Sequence, residues 1–292
     1  MKITRRYTLL AYTLFKKYVG HILPYFKDLK KTLESAYINL PLEEYLAALI
    51  MTEIWSMPLG FSIGMIIGMS LGLDWLGLML LGLVAMIITG AIVLVAFLII
   101  PEYLLRKVKG NIEKFLPYAA THMATIAGTG VPPQTIFQMI GNFKDYGMVS
   151  YVCQRIARNI GVFGYDIVSG ISEEAKRVPS YKFRDLLWSI VSTIRTGGDL
   201  REVLLEKSKG LMDEQRRMEA KYIEFLSMMA EIYATVFVAG TIIVFVMVSI
   251  IGAMGGVPLP VKLLLQAFTY AMIPLASISF IIVIDSTKPA GV

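Results

Sequence analysis

Few side chains in this sequence could carry chemistry. There is one cysteine, Cys153, and two histidines, His21 and His122. One cysteine cannot build an internal disulfide framework, and with two histidines it falls short of the usual zinc and haem ligand sets. The sequence holds no GxxxxGK[ST] and no HExxH, and its two GxSxG matches, Gly60–Gly64 and Gly68–Gly72, lie along an apolar run and not on a strand-to-helix turn. Gly128-Thr129-Gly130 lacks the lysine of a phosphate loop. His122 lies among alanine, methionine and leucine, the setting of a satisfied core or interface residue and not of a ligand. The expectation is therefore no enzyme and no cofactor, with any energy supplied by a partner. One carboxylate stands apart. Glu231 is the acidic residue inside the apolar stretch 225–253. A charge well inside lipid costs roughly 3 kcal/mol unless it is paired or close to the interface. Two readings stay open for Glu231: an interface-level structural group, or a partner for a cation of its own bundle or of an incoming subunit.

The elements that would position these residues are membrane elements. The chain has 292 residues, 56% of them hydrophobic and 17% charged, and a mean hydropathy of +0.64. That is too apolar for an ordinary soluble chain of this length. About 20 consecutive apolar residues cross a bilayer core, and four segments qualify: 54–73, 75–100, 225–253 and 263–284. Lysine and arginine concentrate before residue 53 and between 102 and 224, while the loops inside the two apolar pairs are nearly free of them. The positive-inside rule then places both termini and the middle region in the cytoplasm of a cell membrane. Lys2, Arg5 and Arg6 precede a short apolar run, 7–15, closed by Lys16 and Lys17 without a small-residue cleavage site, which argues against a signal peptide. The net charge of +6 is explained by this orientation. Basic and acidic residues interleave between 102 and 224 without aromatic stacking platforms, so no nucleic acid is expected.

The pattern gives an all-α integral membrane protein. Residues 1–53 form N-terminal cytoplasmic amphipathic helices, basic enough either to lie on anionic membrane lipid or to pack on the rest of the protein. A two-span hairpin follows over 54–100, a six-helix cytoplasmic domain over 101–224, a second hairpin over 225–284 and a short tail over 285–292. The four transmembrane helices thus form two hairpins around the domain. Gly60, Gly64, Gly68 and Gly72 recur every four residues and align on one helix face. Small residues on one face permit close helix contact, either within the hairpin, against Gly77, Gly82 and Gly90, or with another subunit.

Within the middle region, Asn111 is expected to cap a first helix whose apolar face includes Leu116, Ala119, Met123 and Ile126. Pro132 and Pro133 open a second helix reaching about Gly141; a third covers about 149–160 and a fourth about 165–178, weakened by Gly170. Ser180 caps a fifth, with Phe183, Leu186, Leu187, Ile190, Val191 and Ile194 at helical spacing. Gly197 and Gly198 end it, since the position after a helix favours positive φ. Asp199 and Glu202 make an acidic capping box for a sixth helix, which continues into the third apolar segment. A polar helical unit is thereby fixed to a membrane helix.

Three stretches carry a resemblance: FLPYAATHMATIAGTGVPP (115–133), VPSYKFRDLLWSIVSTIRTGGDLREVL (178–204) and EIYATVFVAG (231–240). In order and spacing, residues 41–284 resemble the F-domain family of the type II secretion and type IV pilus systems. The archaeal branch, the archaellum and Tad-type membrane platform proteins, is most similar. The resemblance implies a platform at the base of a filament or pseudopilus, which contacts a hexameric secretion ATPase and passes pilin-like subunits into the fibre. Many members hold two F domains in one polypeptide. With one, this chain is expected to pair with itself or with a paralogous F-domain subunit. A docked ATPase would meet exposed basic residues, for which Arg155, Arg158, Lys176, Arg177, Lys182, Arg184 and Arg195 are the candidates, with Arg201 weaker. Each alone also fits a solvated helix face making surface pairs worth about 0–1 kcal/mol; a docking surface needs several for steering. Two other classes compete. A transporter or channel subunit needs polar or broken helices at the midplane, where only Pro58 and Pro274 are placed to break a span. A membrane adaptor or receptor would use the helical domain to bind signalling partners.

Overall fold

The computed structural model describes residues 23–38, 40–254 and 273–287, with positions 8, 11–13, 15, 19–20, 266 and 269–270. Lys2, Arg5, Arg6, Lys16, Lys17 and His21, the loop holding Lys262, most of the first half of the fourth apolar segment and the end of the tail lie outside the described residues. Among the described residues all regular structure is helical. After a 3-10 turn at Leu23–Phe26 come α1 (Lys27–Ser35), α2 (Leu42–Ser70), α3 (Trp75–Ala127), α4 (Pro133–Asn142), α5 (Met148–Gly161), α6 (Ile167–Arg177), α7 (Tyr181–Thr196), α8 (Leu200–Ile232), α9 (Gly240–Ala253) and α10 (Ile273–Ser286).

Among the described residues, three helices are long and apolar enough to cross a membrane: Leu42–Ser70, Trp75–Ala127 and Leu200–Ala253. α10, at 14 residues, is shorter than a span, and the residues expected to lengthen it lie outside the described set. The boundaries expected at 53, 100 and 224 all fall inside continuous helices. Apolar and polar parts share one rod. The 53 residues of α3 make a helix roughly 80 Å long.

That continuity corrects the role expected for Asn111. It sits in mid-helix, and its Oδ1 accepts a bond from the amide of Met148 at 2.7 Å. It therefore satisfies a free first-turn amide of α5, not of its own helix.

Gly60, Gly64 and Gly68 are buried where α2 meets α3. A Cβ on Gly64 would stand 2.7 Å from the Leu81 carbonyl oxygen and 2.8 Å from the Gly82 Cα; one on Gly60 would collide with Thr89. Gly72 does not belong to this face. It has φ +68 in the turn between the helices and nothing near its missing side chain.

In the polar unit, Leu116, Met123, Phe137, Ile156, Phe183 and Leu187 belong to one buried core. Each such side chain contributes about 1.5–3 kcal/mol by burial. Gly170, expected to weaken α6, is needed there, because a Cβ would lie 2.8 Å from Ile160. Ser180 accepts from the Phe183 amide and Asp199 from the Arg201 amide, so both act as caps; Gly197 ends α7 at φ +70. Lys182–Glu214 at 2.9 Å and Lys207–Asp185 at 2.7 Å tie α7 to α8. A second core, including Val19, Leu33, Tyr45 and Leu46, joins the N-terminal helices to α2, with Phe97 of α3 packed against it.

α8 passes into a π-helical stretch, Tyr233–Ala239, within the 231–240 motif, and then into α9. Tyr233 and Phe237 face Phe280 of α10, with ring centroids 5.1 and 6.1 Å apart.

Candidate partner-docking surface

The basic residues singled out from sequence divide into two kinds. Arg155, Lys182 and Arg184 are engaged inside the protein. Arg155 is 18% exposed and its Nε donates to Glu174 Oε1 at 2.9 Å; Glu174 itself is 1% exposed. The Arg155 guanidinium also lies 5.6 Å from the Tyr37 ring centroid, and the Tyr37 hydroxyl donates to Glu174 Oε2 at 3.4 Å. Burial works to lower the Arg155 pKa, but the Glu174 carboxylate outweighs it and the guanidinium stays charged. Arg155 is thus a bolt between α5, α6 and the N-terminal segment, not a free docking charge. Lys182 pairs with Glu214. Arg184 donates from Nη2 to the Val178 carbonyl at 2.9 Å.

Arg158, Lys176 and Arg195 are exposed, while Arg177 is half-buried. Arg158 stacks 5.9 Å above the ring centroid of Phe163. Arg201 is exposed, with its Nε close to Gly128. His122 makes aromatic contacts with Phe143 and Tyr146, and its Nδ1 stands 3.3 Å from the Tyr146 hydroxyl, a packed interface residue.

Two openings flank Arg155. One, about 580 Å³, lies under the N-terminal segment and mixes Lys30 and Arg177 with Glu34 and Glu43. The other, about 590 Å³, lies along α4 and α5 and is lined by carboxamides and Arg158. The second was findable in the sequence as a stripe, Gln134, Gln138 and Asn142, at four-residue spacing on one helix.

Glu231 is exposed and forms no ion pair among the described residues. Nor is it the lone acidic residue on a membrane helix. Glu53, just outside the expected span, lies within α2, with Oε1 facing Gly90 and Oε2 without a hydrogen-bond partner among the described residues. The sequence reading missed it because the apolar run was cut at residue 54.

Residues 119–251 match the family model for type II secretion system (T2SS), protein F. The chain is 26% identical over 200 residues to Uncharacterized protein MJ1286 of Methanocaldococcus jannaschii, covering 65% of this chain and 33% of that protein. It is 29% identical over 107 residues to Uncharacterized protein MJ0780 of the same organism, covering 36% of this chain and 32% of that one. The chain thus spans about a third of the length of these curated relatives. No solved structure matches it. The matched region starts within α3, takes in α4 to α8 and ends in α9. Over residues 119–251 the chain therefore carries a domain of the type II secretion system protein F family, on helices able to span a membrane.

Proposed function

We propose that this protein is a platform subunit of a type IV pilus-like or type II secretion-like filament assembly machine. In this reading its termini and helical unit face the cytoplasm, and it couples a hexameric secretion ATPase to the insertion of pilin-like subunits. The observation that supports it most is the continuity of α3 and α8. Each runs from the polar unit into an apolar stretch without a loop, and the two pack together along the polar unit. A push or turn applied to that unit by a partner reaches the membrane through two stiff rods. The chain performs no covalent chemistry in this scheme; the ATPase supplies the energy. In this scheme it works beside a second copy of itself or a paralogous F-domain subunit. Glu231, two residues before the π-helical stretch, is the candidate to pair with a cation of its own bundle or of an incoming subunit.

The test is affinity purification of the detergent-solubilised protein from its native cells, with identification of what accompanies it. A hexameric ATPase and pilin-like subunits are expected. Ion flux in liposomes, with no ATPase recovered, would end this reading in favour of a transporter.

A further inference from the structure

The seam between α4 and α5 is the strongest unassigned site. Its groove, about 590 Å³, contains no carboxylate among its lining residues. Gln134, Gln138 and Asn142 contribute from α4, Gln154 and Arg158 from α5. The helices touch closely at one point, since a Cβ on Gly141 would lie 2.9 Å from the Gln154 amide nitrogen. Carboxamides each offer donors and an acceptor, the complement of a peptide backbone. A metal would call for carboxylates or imidazoles and a phosphate for several free cations.

Of the two arginines at the groove, Arg155 is taken by Glu174. Arg158 is exposed and forms no ion pair among the described residues. Past it the chain presents Val162 at 73% and Phe163 at 62% exposure, on a loop turned by Gly164 at φ +69. An aromatic side chain and an arginine beside a polar opening are the composition of protein interfaces. Lipid is a poor occupant. Gln134 lies just beyond the end of α3, whose apolar run stops near Pro101, and the 26 helical residues from there to Ala127 cover about 40 Å.

We propose that this groove binds an extended acidic peptide segment of a protein partner. Its backbone meets the carboxamides, its carboxylate pairs with Arg158, and an apolar side chain rests on Val162 and Phe163. The inference rests on the reading of the helical unit as the docking face for the secretion ATPase, and gives the chemistry of the segment that docks.

The experiment uses the full chain in detergent and fluorescein-labelled octapeptide pools, one carrying two aspartates at varied positions and a matched pool with asparagines. Fluorescence anisotropy should show the aspartate pool binding at least about tenfold more tightly. Arg158→Glu should remove that preference, and Gln134→Ala with Gln138→Ala should weaken both pools. Arg217→Glu, on the exposed face of α8, should change neither. Equal binding of the two pools, or a preference that survives Arg158→Glu in protein of unchanged helicity and melting temperature, overturns the proposal. Recovery of the ATPase is scored in the same preparations. ATPase bound without any aspartate preference would defeat the groove assignment and leave the platform reading standing.

Discussion

The Tyr45 hydroxyl donates to the Phe97 carbonyl at 2.6 Å, and that carbonyl is the one Pro101 leaves without an amide partner. A proline inside a helix removes the bond from its nitrogen to the carbonyl four residues earlier and ordinarily kinks or breaks the helix. Here α2 supplies the missing donor, and the Tyr45 and Phe97 rings pack 5.5 Å apart. The 53-residue rod survives its proline because its neighbour completes it. Tyr45→Phe keeps the ring and strands the carbonyl, so we expect a loss of about 1–3 kcal/mol. In a Pro101→Ala background the carbonyl has an amide, and the same change should cost less. Thermal unfolding of the four proteins in detergent forms a double-mutant cycle; a coupling below about 0.5 kcal/mol would contradict the compensation.

The glycine series predicts two different outcomes along one stripe. Gly64 faces the Leu81 backbone, which cannot swing aside as a flexible side chain would. Gly64→Val should therefore open the α2–α3 hairpin at a cost of at least about 2 kcal/mol. Gly72 meets no neighbour, so Gly72→Ala should cost only the left-handed conformation, about 1–2 kcal/mol. Melting temperatures in detergent decide it, and equal effects would refute the distinction. Since α3 already occupies the Gly60, Gly64 and Gly68 face, that face is closed to a second subunit.

These particulars show where sequence patterns suffice and where they stop. Helical periodicity and local caps give α7 almost to the residue, because Ser180, the apolar face beginning at Phe183 and Gly197 are all local signals. Asn111 was misplaced because capping residues look alike whether they serve their own helix or another. A long uninterrupted helix such as α3 also hides its changes of environment. Gly72 shares the four-residue spacing by position alone; only the backbone shows that the helix has ended. Arg155 and Glu174, 19 residues apart on different helices, carry no signal that would mark them as a pair. The carboxamide stripe was visible, but an isolated stripe of glutamines reads as a solvated face until α5 is placed opposite it.

For that pair the expectation concerns the asymmetry of broken ion pairs. Arg155→Ala leaves Glu174 buried without a counter-charge, which should cost about 3–5 kcal/mol. Arg158→Ala, on the exposed face, should stay within about 0.5 kcal/mol. Replacing both members of the first pair, Arg155→Met with Glu174→Gln, should recover much of the loss. Unfolding of the full chain in detergent measures all three, and similar values for the two alanine variants would show that Arg155 is not the bolt described.

Tyr37 allows the same joint to be tested by pH. It is a non-glycine residue at positive φ, 54°, held by the edge of the Tyr151 ring at 5.6 Å and by the Arg155 guanidinium. Burial, and after it the charge of Glu174, pushes its phenol well above the ordinary 10.0. The folded protein therefore keeps this proton where the unfolded chain gives it up. A raised pKa contributes stability that is complete below the unfolded value and declines as pH rises above it. The wild type should thus lose up to about 1 kcal/mol more than Tyr37→Phe between pH 10 and 11, while below pH 9 the difference between the two should be constant. At neutral pH the variant should be weaker by about 0.5–1.5 kcal/mol, the value of one modest hydrogen bond. Thermal unfolding of both proteins from pH 8 to 11 supplies the comparison. Parallel curves throughout would mean that the phenol is open to solvent and that the N-terminal segment does not seal this side of the helical unit.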